Sequence, residues 1–230
     1  AGLASVTALM AGKGVAARGG QPALDENQLG EAWADLGASF GGSAGDDRMS
    51  FQLRTLTDPA LLQPSVALAA RELGDSAWPE DVWQRERQRL SAAIKEARTR
   101  PGTIAGLAFS QAVYGSHPYG YETTPESLER IGVADMRARW ADFIRPCRAK
   151  VSLVGAVTRA QADALVTQLL SRLPQGADCA SLPPVAEVAP LAAAKDERIP
   201  FESAQAHVLI GQPGYKRSNP DFFPLLVGNY

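Results

Sequence analysis

The sequence predicts an α+β fold. Apolar residues recur at helical spacing in most segments, as with Leu3, Val6, Leu9 and Met10 or Leu29, Trp33 and Leu36. One short stretch, Met49/Phe51/Leu53/Thr55 against Ser50/Gln52/Arg54/Leu56, alternates with a period of two and reads as a half-buried strand. The order of helices and strands is mixed rather than a strict β-α-β alternation, which separates α+β from a doubly wound parallel sheet.

The elements follow in chain order. A helix is expected over 2–13, stopped by Gly12 and Gly14, and residues 15–23 form a Gly-rich loop. Asp25 caps a second helix, 25–37, with Gly37 as its stop. Asp46-Asp47 precede the strand and read as a turn rather than a catalytic carboxylate pair. Asp58-Pro59 opens a helix to about Leu73, with proline at a tolerated first-turn position. Trp78-Pro79-Glu80 opens a long charged helix, 79–99, whose apolar stripe is Val82, Leu90 and Ile94. Helices are expected over 101–114, 124–131 and 133–144, with the loop Tyr114-Gly115-Ser116-His117-Pro118-Tyr119-Gly120 after the first of them. Residues 149–157 read as a strand by β-branched content, and Thr158 caps a helix at 159–172. Prolines 174, 183, 184 and 190 with many alanines mark a linker over 175–197. His207-Val208-Leu209-Ile210-Gly211 reads as a strand, and Asn219-Pro220-Asp221 starts a last helix.

Composition narrows the function classes. The 230 residues carry 23 basic and 25 acidic side chains, for a formal net charge of −2, and this balance argues against a nucleic-acid or anionic-membrane binder. No run approaches the ~20 apolar residues needed to span a bilayer. The chain opens without methionine and closes in mid-pattern on Val227-Gly228-Asn229-Tyr230, so a piece of a longer protein is expected. Cys147 and Cys179 are read as small hydrophobes or spectator thiols rather than a disulfide, because two cysteines make no framework.

Few residues offer chemistry. Zinc requires three or four converging ligands, and His117 and His207 are the only histidines. His117 is expected to cap backbone groups in its turn, and His207 to lie half-exposed on a strand. Gly12-Lys13-Gly14 and Arg18-Gly19-Gly20 lack the strand before and the Ser/Thr after that a phosphate-binding P-loop needs. No Gly-x-Ser-x-Gly elbow is present, and neither cysteine has a histidine close in sequence, so covalent hydrolysis is unsupported.

Four segments, in order, resemble the insulinase/pitrilysin family of zinc peptidases, the inverzincins, and most of all its processing-peptidase branch. The first is Gly2-Leu3-Ala4-Ser5-Val6-Thr7-Ala8-Leu9-Met10 with Lys13-Gly14 beyond it. Family members carry His-x-x-Glu-His on this helix; here Ser5, Ala8 and Leu9 stand at the first His, the Glu and the second His. The second is Glu86-Arg87 on the long helix, where the family places its distal zinc ligand; Glu86 lies 77 residues after Leu9 (86 minus 9). The third is Tyr114-x-x-His117-Pro118-Tyr119-Gly120 with Thr124-Pro125-Glu126-Ser127-Leu128, and the fourth runs from Asn219-Pro220-Asp221 to Tyr230.

The resemblance implies a metallopeptidase-like α/β sandwich, a mostly antiparallel sheet with helices on one face. Residues 1–174 would be one such domain lacking its N-terminal strands, and 198–230 the start of a second repeat. It implies peptide binding by strand addition at the edge formed by Gly41, Gly42, Ser43 and Ala44. Catalytic and metal residues are expected to be absent, with Glu86 a lone equivalent of the distal ligand. No cofactor is expected, although zinc is the family's metal. The function implied is that of an inactive homologue serving as the non-catalytic partner of an active zinc-bearing subunit, or pairing with itself, around a peptide or unfolded polypeptide. A structural subunit of a larger assembly is the alternative, and an active zinc peptidase with its site elsewhere is the third. The partner role would use an Arg/Tyr pair beyond Tyr230. The Ala/Arg-rich composition together with the resemblance to this family branch suggests a bacterial source; the compartment is not read from the sequence, and a periplasmic site is a guess.

Overall fold

The computed structural model describes residues 1–175 and 179–229. Helices dominate: α1 Leu3–Ala11, α2 Glu26–Asp35, α3 Pro59–Gly74, α4 Glu80–Ala97, α5 Pro101–Tyr114, α6 Pro125–Glu129, α7 Val133–Phe143, α8 Arg159–Leu170 and α9 Phe222–Gly228. Strands β1 Ser39–Ala44 and β2 Met49–Arg54 form an antiparallel hairpin with Gly42 opposite Phe51. The α+β class read from the sequence is the class of the fold.

Local chemistry explains the helix starts. Asp25 accepts from the backbone N–H of Asn27 and Gln28, while the Gln28 side chain returns a bond to the Asp25 N–H, a complete capping box. Asp58 caps α3 and Thr158 caps α8 in the same way as first-turn acceptors. The Asp46-Asp47 connection is a turn closed by the Gly45 N–H on Arg48 O at 2.9 Å.

The residues fall into two compact units, Ala1–Ala92 with Thr123–Leu182, and Ala93–Glu122 with the described residues from Pro183 on. In the first, Val6, Met10, Val15, Val66, Ala69, Leu128 and Met136 are buried. Trp83 is fully buried and donates its indole N–H to Ile131 O at 3.0 Å. An aromatic row, Trp33–Phe40–Phe51–Trp140–Trp78, runs along the hairpin with ring centroids 5.4–6.1 Å apart. In the second unit His117 caps a short 3₁₀ turn, its Nδ1 accepting from the Tyr119 N–H at 3.2 Å, as its turn context predicts.

Three expectations are corrected. Residues 149–157 and 207–211 are not strands, and Val154 and Ile210 are 97% and 93% exposed. A strand exists only by hydrogen bonding to a neighbour, and among the described residues the sole sheet is β1–β2. Cys147 and Cys179 are disulfide-bonded, with Cα atoms 5.9 Å apart. Cys147 is exposed, so the buried-hydrophobe reading fails as well. A count of cysteines could not show that the chain beyond α8 returns to the turn after α7.

Among the described residues, one buried acid has no cation beside it. Glu72, 3% exposed, accepts the Trp33 indole N–H at 2.5 Å. Burial pushes its carboxyl up to about 7, against a smaller downward pull from Trp33. A carboxyl raised in the folded state holds an extra proton between its unfolded and folded pKa values. Stability is therefore fullest below the unfolded value and declines as pH rises to about 7. Glu72→Gln keeps an acceptor for Trp33 without a buried charge. Urea titrations are expected to show it about 3 kcal/mol more stable than the parent at pH 8 and nearly equal at pH 4. A constant difference across that range would contradict the assignment.

Candidate functional site

Helix α1 presents the altered motif. It starts at Gly2, whose φ of 89° is left-handed, and a Cβ there would stand 2.8 Å from Thr123 Cγ2. Ser5 is exposed, Ala8 is buried and Leu9 half-buried, so a lone hydroxyl is the polar chemistry at these three positions. Thr7, between them, is buried and spends its hydroxyl on Leu3 O at 2.6 Å.

Glu86, on α4, is 5% exposed and its charge is matched by cations. Arg89 reaches it at 2.7 Å, Lys13 at 3.4 Å and Arg85 at 3.6 Å. Burial raises its pKa, but the Arg89 hydrogen bond and the charges of Lys13 and Arg89 outweigh that and hold the carboxyl below the usual range. Lys13 also pairs with Glu26 at 2.5 Å, and Arg85 bonds Glu26 too. The Lys13 hydrogen bond, foremost, depresses the Glu26 carboxyl. The loop after α1, the start of α2 and the middle of α4 are thus clasped by one ion-pair network. Sequence spacing singled out Glu86 but not Lys13, Glu26 or Arg85. The Glu86–Arg89 pair at i,i+3 was the local signal available.

The hairpin lies against α1. A Cβ at Gly42 would stand 3.4 Å from Ala8 O and 2.7 Å from Phe51 Cδ1. Glycine at this position lets β1 lie against the backbone of the altered motif, so two of the sequence-derived groups, Ala8 and Gly42, meet. Gly41, Gly42 and Ser43 are exposed and Ala44 half-exposed. Among the described residues no strand pairs with the other edge of β1. Gly42→Val is expected to displace the hairpin and cost about 1–3 kcal/mol by overpacking. A denaturant midpoint equal to the parent's would contradict this close approach.

The donor set does not fit zinc. Ser5, Ala8 and Leu9 offer no imidazole or carboxylate, and Glu86 is one ligand where three or four are needed. Among the described residues no three of His, Cys, Asp or Glu converge as a metal site would require. The methyl group of Ala8 can take no proton from a water molecule, so general-base chemistry has no agent at that position.

Fold and site together define a peptidase-like domain whose motif helix carries Ser5, Ala8 and Leu9, none of them a histidine or carboxylate. Residues 130–230 match the family model of the Peptidase M16 inactive domain. The chain is similar in structure to a peptidase M16 inactive domain from Pseudomonas fluorescens, with 26% identity and TM-score 0.73 over 82% of this chain and 44% of that one. It shares its fold with a protease from Helicobacter pylori (19% identity, TM-score 0.63, 82% of this chain and 43% of that one). Pitrilysin also has the fold (18% identity, TM-score 0.58, 78% and 19%). No curated protein matches. The family-model match covers the C-terminal part of the chain and the shared fold covers most of it, and the chain spans less than half the length of these structures. Among the described residues no helix is long and apolar enough to cross a membrane.

Proposed function

We propose that this chain is part of a non-catalytic subunit that pairs with a zinc-bearing homologue and helps to hold a peptide for it. The observation that supports the reading is the outer edge of β1, which no described strand pairs with, lying against a motif helix whose residues are not zinc ligands. An exposed strand edge recruits an extended peptide through main-chain hydrogen bonds, with little demand on its sequence. In this reading Gly41, Gly42, Ser43 and Ala44 bind the peptide, Glu86 is structural, and no cofactor is held. Residues 1–174 are one repeat and 198–230 the start of another, joined by 175–197. The Cys147–Cys179 disulfide supports an oxidising compartment such as a bacterial periplasm.

The test is reconstitution. The full-length protein, given zinc, should hydrolyse no peptide alone. Mixed with a zinc-bearing homologue, it should form a complex and raise kcat/KM at least about tenfold, or ~1.4 kcal/mol of transition-state stabilisation. A stable complex with an unchanged rate would replace this reading with that of a scaffold subunit.

A further inference from the structure

An arginine cluster lies elsewhere in the first unit, away from the motif residues in sequence and with no part in the proposed peptide site. Two guanidiniums, Arg18 and Arg172, hold one carboxylate, Asp75, and a third, Arg71, lies close enough to feel the charges of Arg172 and Asp75. Both oxygens of that carboxylate are already engaged: Oδ1 accepts from Arg18 at 2.7 Å and Oδ2 from Arg172. The Asp75 side chain is 3% exposed and those of Arg18 and Arg172 are 56% and 24% exposed. Arg71, 8% exposed, donates to Pro22 O at 2.5 Å, and its buried Nε meets no acceptor among the described residues. Its neighbour Glu72 accepts from the Trp33 indole N–H and, among the described residues, forms no ion pair with Arg71. Among the described residues, two guanidiniums share the Asp75 carboxylate, and the third, on Arg71, keeps a buried N–H without an acceptor.

The cluster is built rather than incidental. Arg18 and Gln21 exchange two backbone hydrogen bonds, each 3.2 Å, across Gly19 and Gly20, and this tight turn presents the Arg18 side chain. Arg172 is braced by Gln21 Oε1, and its backbone comes so near Gly74 that a Cβ there would stand 2.7 Å from Arg172 O. Guanidinium forks match the paired oxygens of a phosphate or carboxylate. We infer that Arg18, Arg71 and Arg172 form a binding site for an oxyanion. A P-loop would use backbone N–H groups at a helix start; this site uses side chains from three separate segments.

The experiment is thermal unfolding of the full-length protein titrated with inorganic phosphate, and in a second arm with acetate, at ionic strength held constant with sodium chloride. A saturable rise in Tm of about 3 °C by ~10 mM phosphate is expected. Arg18→Gln, at a side chain more than half exposed, is expected to fold and to lose the rise, and Arg71→Gln to lose it as well. A rise with phosphate alone supports a phosphate-type ligand; a rise with acetate too supports any oxyanion, a peptide carboxylate included. No saturable rise in either arm, or one that Arg18→Gln and Arg71→Gln retain in full, would overturn the site.

Discussion

Replacing Trp83 with alanine is expected to destabilise the first unit by about 3–5 kcal/mol. Trp83 is the largest side chain with no exposure, and it sits one turn before Glu86 on α4. Truncation removes its packing surface and leaves Ile131 O, its acceptor at 3.0 Å, without that donor. The two losses act on the helix that carries the Glu86 clasp, so the ion pairs to Lys13 and Arg89 should loosen with it. Trp83→Phe keeps most of the volume and should cost less, about 1–2 kcal/mol. Leu56→Ala, at a side chain 59% exposed, is the control and should stay within about 0.5 kcal/mol of the parent. Denaturant midpoints order the three; a Trp83→Ala midpoint equal to that of Leu56→Ala would mean that α4 is not seated as described.

Reducing the Cys147–Cys179 disulfide is the second large effect. The bridge closes a loop with a sequence separation of 32 residues that contains α8. By chain entropy alone, opening a loop of that size costs about 3–4 kcal/mol. Helix α8 is otherwise held through Leu165, which is buried, and Leu169, packed near the Leu29–Trp33–Leu68–Ala69 cluster. The double change Cys147→Ser with Cys179→Ser should give the same midpoint with and without dithiothreitol, and the parent should fall to that midpoint only when reduced. Equal midpoints for oxidised and reduced parent would show that the bridge does not form in solution.

The parts of the fold that are local were legible in the sequence. Capping boxes at Asp25 and Thr158, the proline start at Asp58-Pro59 and the alternation over 49–54 depend on neighbours a few residues away. The parts set by distant segments were not. Residues 149–157 have the composition of a strand but, among the described residues, no strand to bond with. Strand β1, with Gly41 and Gly42, has little β propensity of its own; its pairing with β2 and its seat on α1 define it. The site behaved similarly. The substitutions at Ser5, Ala8 and Leu9 are plain in one helix, whereas the cations around Glu86 come partly from Lys13, which is remote in sequence. The arginines around Asp75 come from positions 18, 71 and 172, a separation that no local motif encodes.

The most direct test of the inactive assignment is zinc content by elemental analysis, on the full-length protein incubated with excess zinc and desalted. Ser5, Ala8 and Leu9 supply no ligand, so less than ~0.1 zinc per chain is expected. Stoichiometric zinc that is lost on Glu86→Gln would contradict the account, because it would make Glu86 a working ligand and place the metal helix elsewhere.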